Sequence, residues 1–272
     1  MPRFVLLLVS AVLVGATLGC VVSRRPSASG QHPSIRIQTF GEMRRVLRLG
    51  ETEAKVELVE LVEELSERGG GRAVIGVGAL EDLRGEVTIV GGRIFVSEVH
   101  PPGRTIETRP AVAGDQAAML IAAGGVDWTC CEVGSIDSYA ELEDRIREEL
   151  VREGADLSKP VPVWFRGTAE SVQAHVTDGA CPIAEPEGAP PGRIEDASGE
   201  VDIVGFYVEG SAGVFTHHDR RSHLHVVTTE GAGHLEEVRL ERGELRLHAR
   251  PDRARGESAL KSRTGGQRPI AN

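Results

Sequence analysis

With 272 residues the chain is long enough for one large domain or two small ones, and 40% hydrophobic with 26% charged residues is the balance of a water-soluble globular body. A net charge of −10 argues against non-specific nucleic-acid binding, which needs a basic face to neutralise phosphates. No stretch beyond residue 22 is apolar for long enough to span a bilayer as a helix.

The first twenty residues differ from the rest. Arg3 gives a small positive start, Phe4 to Leu18 is nearly continuous apolar sequence, and Gly19-Cys20 follows. A short apolar run ending in small residues reads as an export signal, which stands apart from the fold. Gly19-Cys20 also resembles a bacterial lipobox, although Thr17 stands where Leu, Val or Ile is usual. The expectation is a cell-envelope lipoprotein held to a membrane through Cys20; the alternative is ordinary secretion or an uncleaved anchor. Residues 21–33 then read as a polar tether.

Ile35 to Phe40 alternates in the manner of a strand. Glu51 to Arg68 carries Val56, Val59 and Val62 at helical spacing and ends at Gly69-Gly70-Gly71, which predicts a helix. Ala73 to Val77, Glu86 to Val90 and Arg93 to Val99 read as strands, the last two joined by a Gly91-Gly92 hairpin. Ser138 with Glu141 forms a capping box for a helix whose apolar stripe is Tyr139, Leu142, Ile146 and Leu150. Pro160 to Phe165 and Ser171 to Thr177 look like a strand pair.

Cys181 to Gly199 is rich in Pro, Gly, Ala and Glu and reads as a long loop dividing residues 34–180 from residues 200–249. Beyond it, Val201 to Val208, Ser222 to Thr228, His234 to Leu240 and Glu244 to His248 are strand-like. The polar, basic stretch 250–272 reads as a disordered tail. The architecture expected is a two-part α+β fold, mostly mixed or antiparallel sheet with a few helices. Cys130, Cys131 and Cys181 are an odd set once Cys20 is set aside. They fit either one pairing with Cys181 or buried thiols.

Six of nine histidines fall in the stretch from His217 to His248. In a strand, residues two apart share a face, so His223 and His225 can bind one ion while Leu224 and Val226 face a core. His234 opens the next strand after a short turn, and an antiparallel return would bring it level with the pair. Three neutral imidazoles with an open position suit a catalytic zinc, other divalent transition metals being possible occupants. His217 and His218 lie just upstream as outer partners or alternative ligands. The competing reading is a set of hydrogen-bonded surface histidines.

Several segments together resemble the α-acetolactate decarboxylase family. They are Gly76-Val77-Gly78-Ala79-Leu80 through Gly85-Glu86, Asp137-Ser138-Tyr139-Ala140-Glu141-Leu142, Val204-Gly205-Phe206-Tyr207, His223-Leu224-His225 and Gly233-His234. The similarity runs from about Ile35 to about Leu247. It implies a two-part fold, usually a homodimer, in which three histidines hold zinc. That ion chelates a small 2-hydroxy-3-keto acid, which is decarboxylated to acetoin. The resemblance makes Glu86 a catalytic carboxylate near the metal; by itself Glu86 reads as an acidic residue at a strand edge. It places His175 where the family has an active-site arginine, with Arg166 or Arg221 as candidates to supply that charge instead. The family's C-terminal glutamate has Glu257 as its candidate here. The alternative function is a non-catalytic exported metal-binding lipoprotein that keeps the fold and the histidines.

Overall fold

The computed structural model describes residues 35–40, 55–101, 104–179, 192–210 and 220–248. The signal, Cys20, the tether, Cys181, His217, His218 and the tail with Glu257 lie outside the described residues.

The first sheet is built from β1 (Arg36–Phe40), β2 (Val56–Glu57), β3 (Ile75–Leu80), β4 (Gly85–Val90), β5 (Arg93–His100), β6 (Thr105–Pro110) and β7 (Gln116–Gly124). Their order is β1-β7-β3-β4-β5-β6, with β2 also on β7. Helix α1 (Leu58–Arg68) covers one face with Leu58, Leu61, Val62 and Leu65. The helix expected from Glu51 begins only at Leu58. Val56 and Glu57 pair with Ala117 and Gln116 instead, and the Glu57 side chain caps the helix that follows. Gly91 and Gly92, at φ of 60° and 85°, make the expected two-residue turn between β4 and β5.

The second sheet contains β8 (Thr129–Val133), β9 (Val161–Val176), β10 (Gly192–Tyr207), β11 (Ser222–Val227) and β12 (Ala232–Leu247). The order is β11-β10-β9-β12-β8, and β11 pairs again with β12. Strands β9 to β12 therefore close on themselves. Every strand pairing in both sheets is antiparallel. Helix α2 (Tyr139–Glu153) is capped by the Ser138 hydroxyl, which accepts from the Glu141 N–H at 3.2 Å, and it ends at left-handed Gly154. Its apolar stripe packs on the second sheet against Phe165, Ile203, Leu224 and Val226. A further core of Ile75, Val77, Val90, Ile121, Trp164, Val204 and Phe206 joins the two sheets.

Four sequence expectations change here. Pro160–Phe165 and Ser171–Thr177 are one continuous strand, β9, and the two final strands are likewise one, β12. Gly167 and Gly243, which fall in the gaps between those expected strands, are cross-strand partners. A Cβ on Gly167 would lie 2.2 Å from the Arg242 carbonyl, and one on Gly243 2.3 Å from the Phe165 ring. These glycines serve close approach under an aromatic cover, not a turn. The loop expected over Cys181–Gly199 is strand from Gly192 onward, bulged between Ile194 and Gly199 with Asp196 at a φ of 58°. Bulge residues have loop-like composition, which hid the strand. Finally, Cys130 is exposed and Cys131 half-buried on the edge strand β8, so the buried-thiol reading fails for Cys130.

Candidate metal centre

Strand β11 is buried on both faces. Leu224 and Val226 enter the core beneath α2, which turns His223 and His225 to the opposite side. The register then assembles a ladder: His225 pairs with His234 of β12, and His234 pairs with His175 of β9. One nitrogen each from His223, His225 and His234 lies within 4.8 Å of the other two. Their ring centroids are 5.0–5.4 Å apart, and all three side chains are buried. His175 stands one step along, its ring 4.9 Å from that of His234. Gly205 of β10 makes the approach possible, since a Cβ there would sit 1.9 Å from the His223 carbonyl.

The first sheet supplies the other wall. Glu86 and Thr88, two apart on β4, reach His225 from the same face. Thr88 Oγ1 lies 2.9 Å from His225 Nδ1, and Glu86 Oε2 lies 3.7 Å from His225 Nε2. With Nδ1 engaged, Nε2 is the nitrogen left for a ligand. It is buried and has no hydrogen-bond partner. Burial, then the nearby His223 and His175, push the His225 pKa well below the ordinary imidazole value and keep the ring neutral. Burial likewise raises Glu86 to about 7, tempered by His175 and by hydrogen bonds from Thr177. An orphaned neutral nitrogen among two further imidazoles and beside a carboxylate is a donor set that fits a transition-metal ion.

The sequence did not point to four of the residues around this centre. Thr88 and Thr177 are two; the Thr177 backbone N–H donates to Glu86 Oε1 at 3.4 Å. The others hold His175. Its Nδ1 lies 3.0 Å from Glu236 Oε1, and Arg193 Nη1 donates to Glu236 Oε2 at 2.7 Å. The hydrogen bond with His175 is the largest cause lowering the Glu236 pKa, with Arg193 adding to it against the effect of burial. Arg193 is the cross-strand neighbour of His175. Arg166 and Arg221, the expected substitutes for a guanidinium, are committed elsewhere, to Asp202 and to Glu143 and Asp144. A period-two signal was available for Thr88 after Glu86 and for Glu236 after His234.

The fold has solved counterparts. α-Acetolactate decarboxylase from Bacillus subtilis superposes with a TM-score of 0.58 at 16% identity, over 79% of this chain and 85% of that one. The fold is that of the acetolactate decarboxylases. The enzyme from Bacillus subtilis subspecies spizizenii matches with the same TM-score of 0.58 and 16% identity, over 79% and 86%. A Staphylococcus aureus protein of unknown function, described as similar to α-acetolactate decarboxylase, gives 0.59 at 16% identity over 83% and 92%. No protein-family model and no curated protein matches the chain. The acetolactate decarboxylase-like fold here thus rests on shape, matched over 79% of the chain.

Proposed function

We propose that the chain is a zinc-dependent carboxy-lyase that converts 2-acetolactate, or a related 2-hydroxy-3-keto acid, to acetoin or its analogue. The observation that carries this reading is the unpartnered, buried His225 Nε2 beside His223, His234 and Glu86. His223, His225 and His234 would hold the ion. When bound, it would act as a Lewis acid on substrate oxygens and offset the negative charge left as carbon dioxide departs. Thr88 keeps the His225 ring turned so that Nε2 faces the centre. Glu86, poised near neutrality by burial, is suited to hold or release a proton at Oε2, 3.7 Å from His225 Nε2. Glu236 orients His175, whose other nitrogen is then available to a substrate oxygen.

The test is release of carbon dioxide from 2-acetolactate by the purified chain with zinc, and its loss in the His223→Ala/His225→Ala double variant. A second reading, an exported metal-binding protein without catalysis, is favoured by one observation. An imidazole tied to Glu236 stands at residue 175, where the resemblance calls for a guanidinium. Zinc bound at one ion per chain without carbon dioxide release decides for that second reading. Under either one, we place the protein at the cell envelope through Cys20. Cys20→Ala should move it out of the membrane fraction; continued membrane association with cleavage elsewhere rules that placement out.

A further inference from the structure

Helix α2 buries two glutamates: Glu143 is 3% exposed and Glu149 2%. They do different things. Glu149 pairs with Arg145 and Arg152 of its own helix. Glu143 instead reaches the two residues that precede His223. Its Oε1 accepts the Arg221 backbone N–H at 2.8 Å and the Ser222 hydroxyl at 2.6 Å, and its Oε2 lies 3.4 Å from Arg221 Nε. One turn earlier, the Tyr139 hydroxyl is 3.1 Å from Ser222 Oγ, and the Arg220 guanidinium stacks over the Tyr139 ring at 4.0 Å.

Residues 220–222 are thereby held on the helix immediately before the chain turns into the metal strand. The ladder explains why that matters for one ligand in particular. Strand β10 pairs with β11 along Ser222–Val227, but β12 pairs with it only over His225–Val227. Among the described strands, β10 pairs with β11 at His223 and β12 does not reach it. His225 and His234 face each other across the ladder and need no such help.

We propose that Glu143 is the positioning residue of the metal centre. From α2 it fixes the start of β11, so that His223 points to the same place as His225 and His234. The inference rests on the metal-centre reading above and adds a residue outside the centre to it. A carboxylate is suited to the task because one oxygen accepts from the strand backbone and the Ser222 hydroxyl while the other faces a guanidinium.

The experiment titrates the full chain with Co²⁺, following the visible absorption of the bound ion, and measures the thermal stability of the metal-free protein alongside. Loss of an outer partner of a metal ligand costs roughly 10–100-fold in metal affinity, so Glu143→Ala should weaken Co²⁺ binding by about that factor and alter the spectrum of the ion that does bind. Glu143→Gln, which keeps an acceptor oxygen for the strand, should recover most of the affinity. Glu149→Ala removes a carboxylate of equal burial from the same helix. It should lower stability while leaving Co²⁺ affinity and spectrum as in the native chain. If Glu143→Ala binds Co²⁺ like the native protein, or Glu149→Ala loses affinity equally, the inference is overturned while the metal-centre reading stands. If the native chain binds no Co²⁺, the metal-centre reading falls and takes this inference with it. Should Glu143→Ala fail to fold, Ser222→Ala decides the matter by the same two readouts.

Discussion

Glu86 and His225 are buried side by side, and burial shifts their pKa values in opposite directions. In each case burial favours the neutral form. For Glu86 the folded pKa, about 7, stands above the ordinary carboxylate value of 4.5. Its contribution to metal-free stability is therefore complete below about pH 4.5 and is lost as pH rises through 7. The size is on the order of 3 kcal/mol. His225 has the reverse sign, its part being present above its ordinary value of 6.5 and lost as pH falls. Glu86→Gln isolates the first effect. In chelator-treated protein, the stability difference between native and variant should grow in the variant's favour from pH 5 to pH 8 by urea denaturation. In the metal-loaded protein, if it decarboxylates as proposed, the same substitution should lower kcat by roughly 10²–10⁴-fold with metal content retained, since an amide cannot take or give the proton. An unchanged kcat removes Glu86 from the chemistry. His175→Arg is the complementary change. A guanidinium can hold a carboxylate by two parallel hydrogen bonds where an imidazole cannot. If the native chain is inactive, activity gained by that variant identifies position 175 as the cause.

At the scale of elements, the centre depends on how closely strands approach. Gly205→Ala puts a methyl group against the His223 carbonyl, at a position where a Cβ would be 1.9 Å away. Overpacking of this kind costs about 1–3 kcal/mol, and more where backbone is the obstacle. The shift falls on β11, so the variant should lose metal binding along with stability, measured by metal titration and urea denaturation. Phe165 covers the Gly167–Gly243 pair on β9 and β12, two strands that also carry His175 and His234. Phe165→Ala should destabilise by about 3–5 kcal/mol. That substitution acts about nine residues from His234 along β12, so metal affinity should change less than in Gly205→Ala. Equal losses of affinity in both would show that β12 moves as one rigid strand.

For the whole molecule, the site lies where the two sheets meet, with β4 contributing Glu86 and Thr88 and the closed set β9 to β12 contributing the imidazoles. A metal held there by imidazoles of β11 and β12 has no equivalent site in the unfolded chain. Zinc at about 100 times its Kd should stabilise by about 2.7 kcal/mol, a rise in Tm of roughly 5–10 °C for a body of this size. The His223→Ala/His225→Ala variant should show no rise. Metal-dependent stabilisation that survives in that variant would place the ion elsewhere.

The amino-acid sequence alone determined what is local. Alternation along Ser222–Val227 set His223 and His225 on one face, Gly91-Gly92 set the β4–β5 turn, and Ser138 with Glu141 set the start of α2. Each depends on residues a few positions apart, where the side-chain period of strand or helix fixes the outcome. Even the short return to His234 was legible, because a tight turn leaves few registers open. The tertiary structure decided what crosses between distant segments. It brought His175 beside His234 through pairing of β9 with β12, Glu236 and Arg193 to His175, and Thr88 to His225 across 137 positions. It also ran β9 and β12 unbroken through Gly167 and Gly243, where the two strands approach closely. A glycine that makes a turn and one that admits a neighbouring strand have the same letter. Only the position of that neighbour distinguishes them.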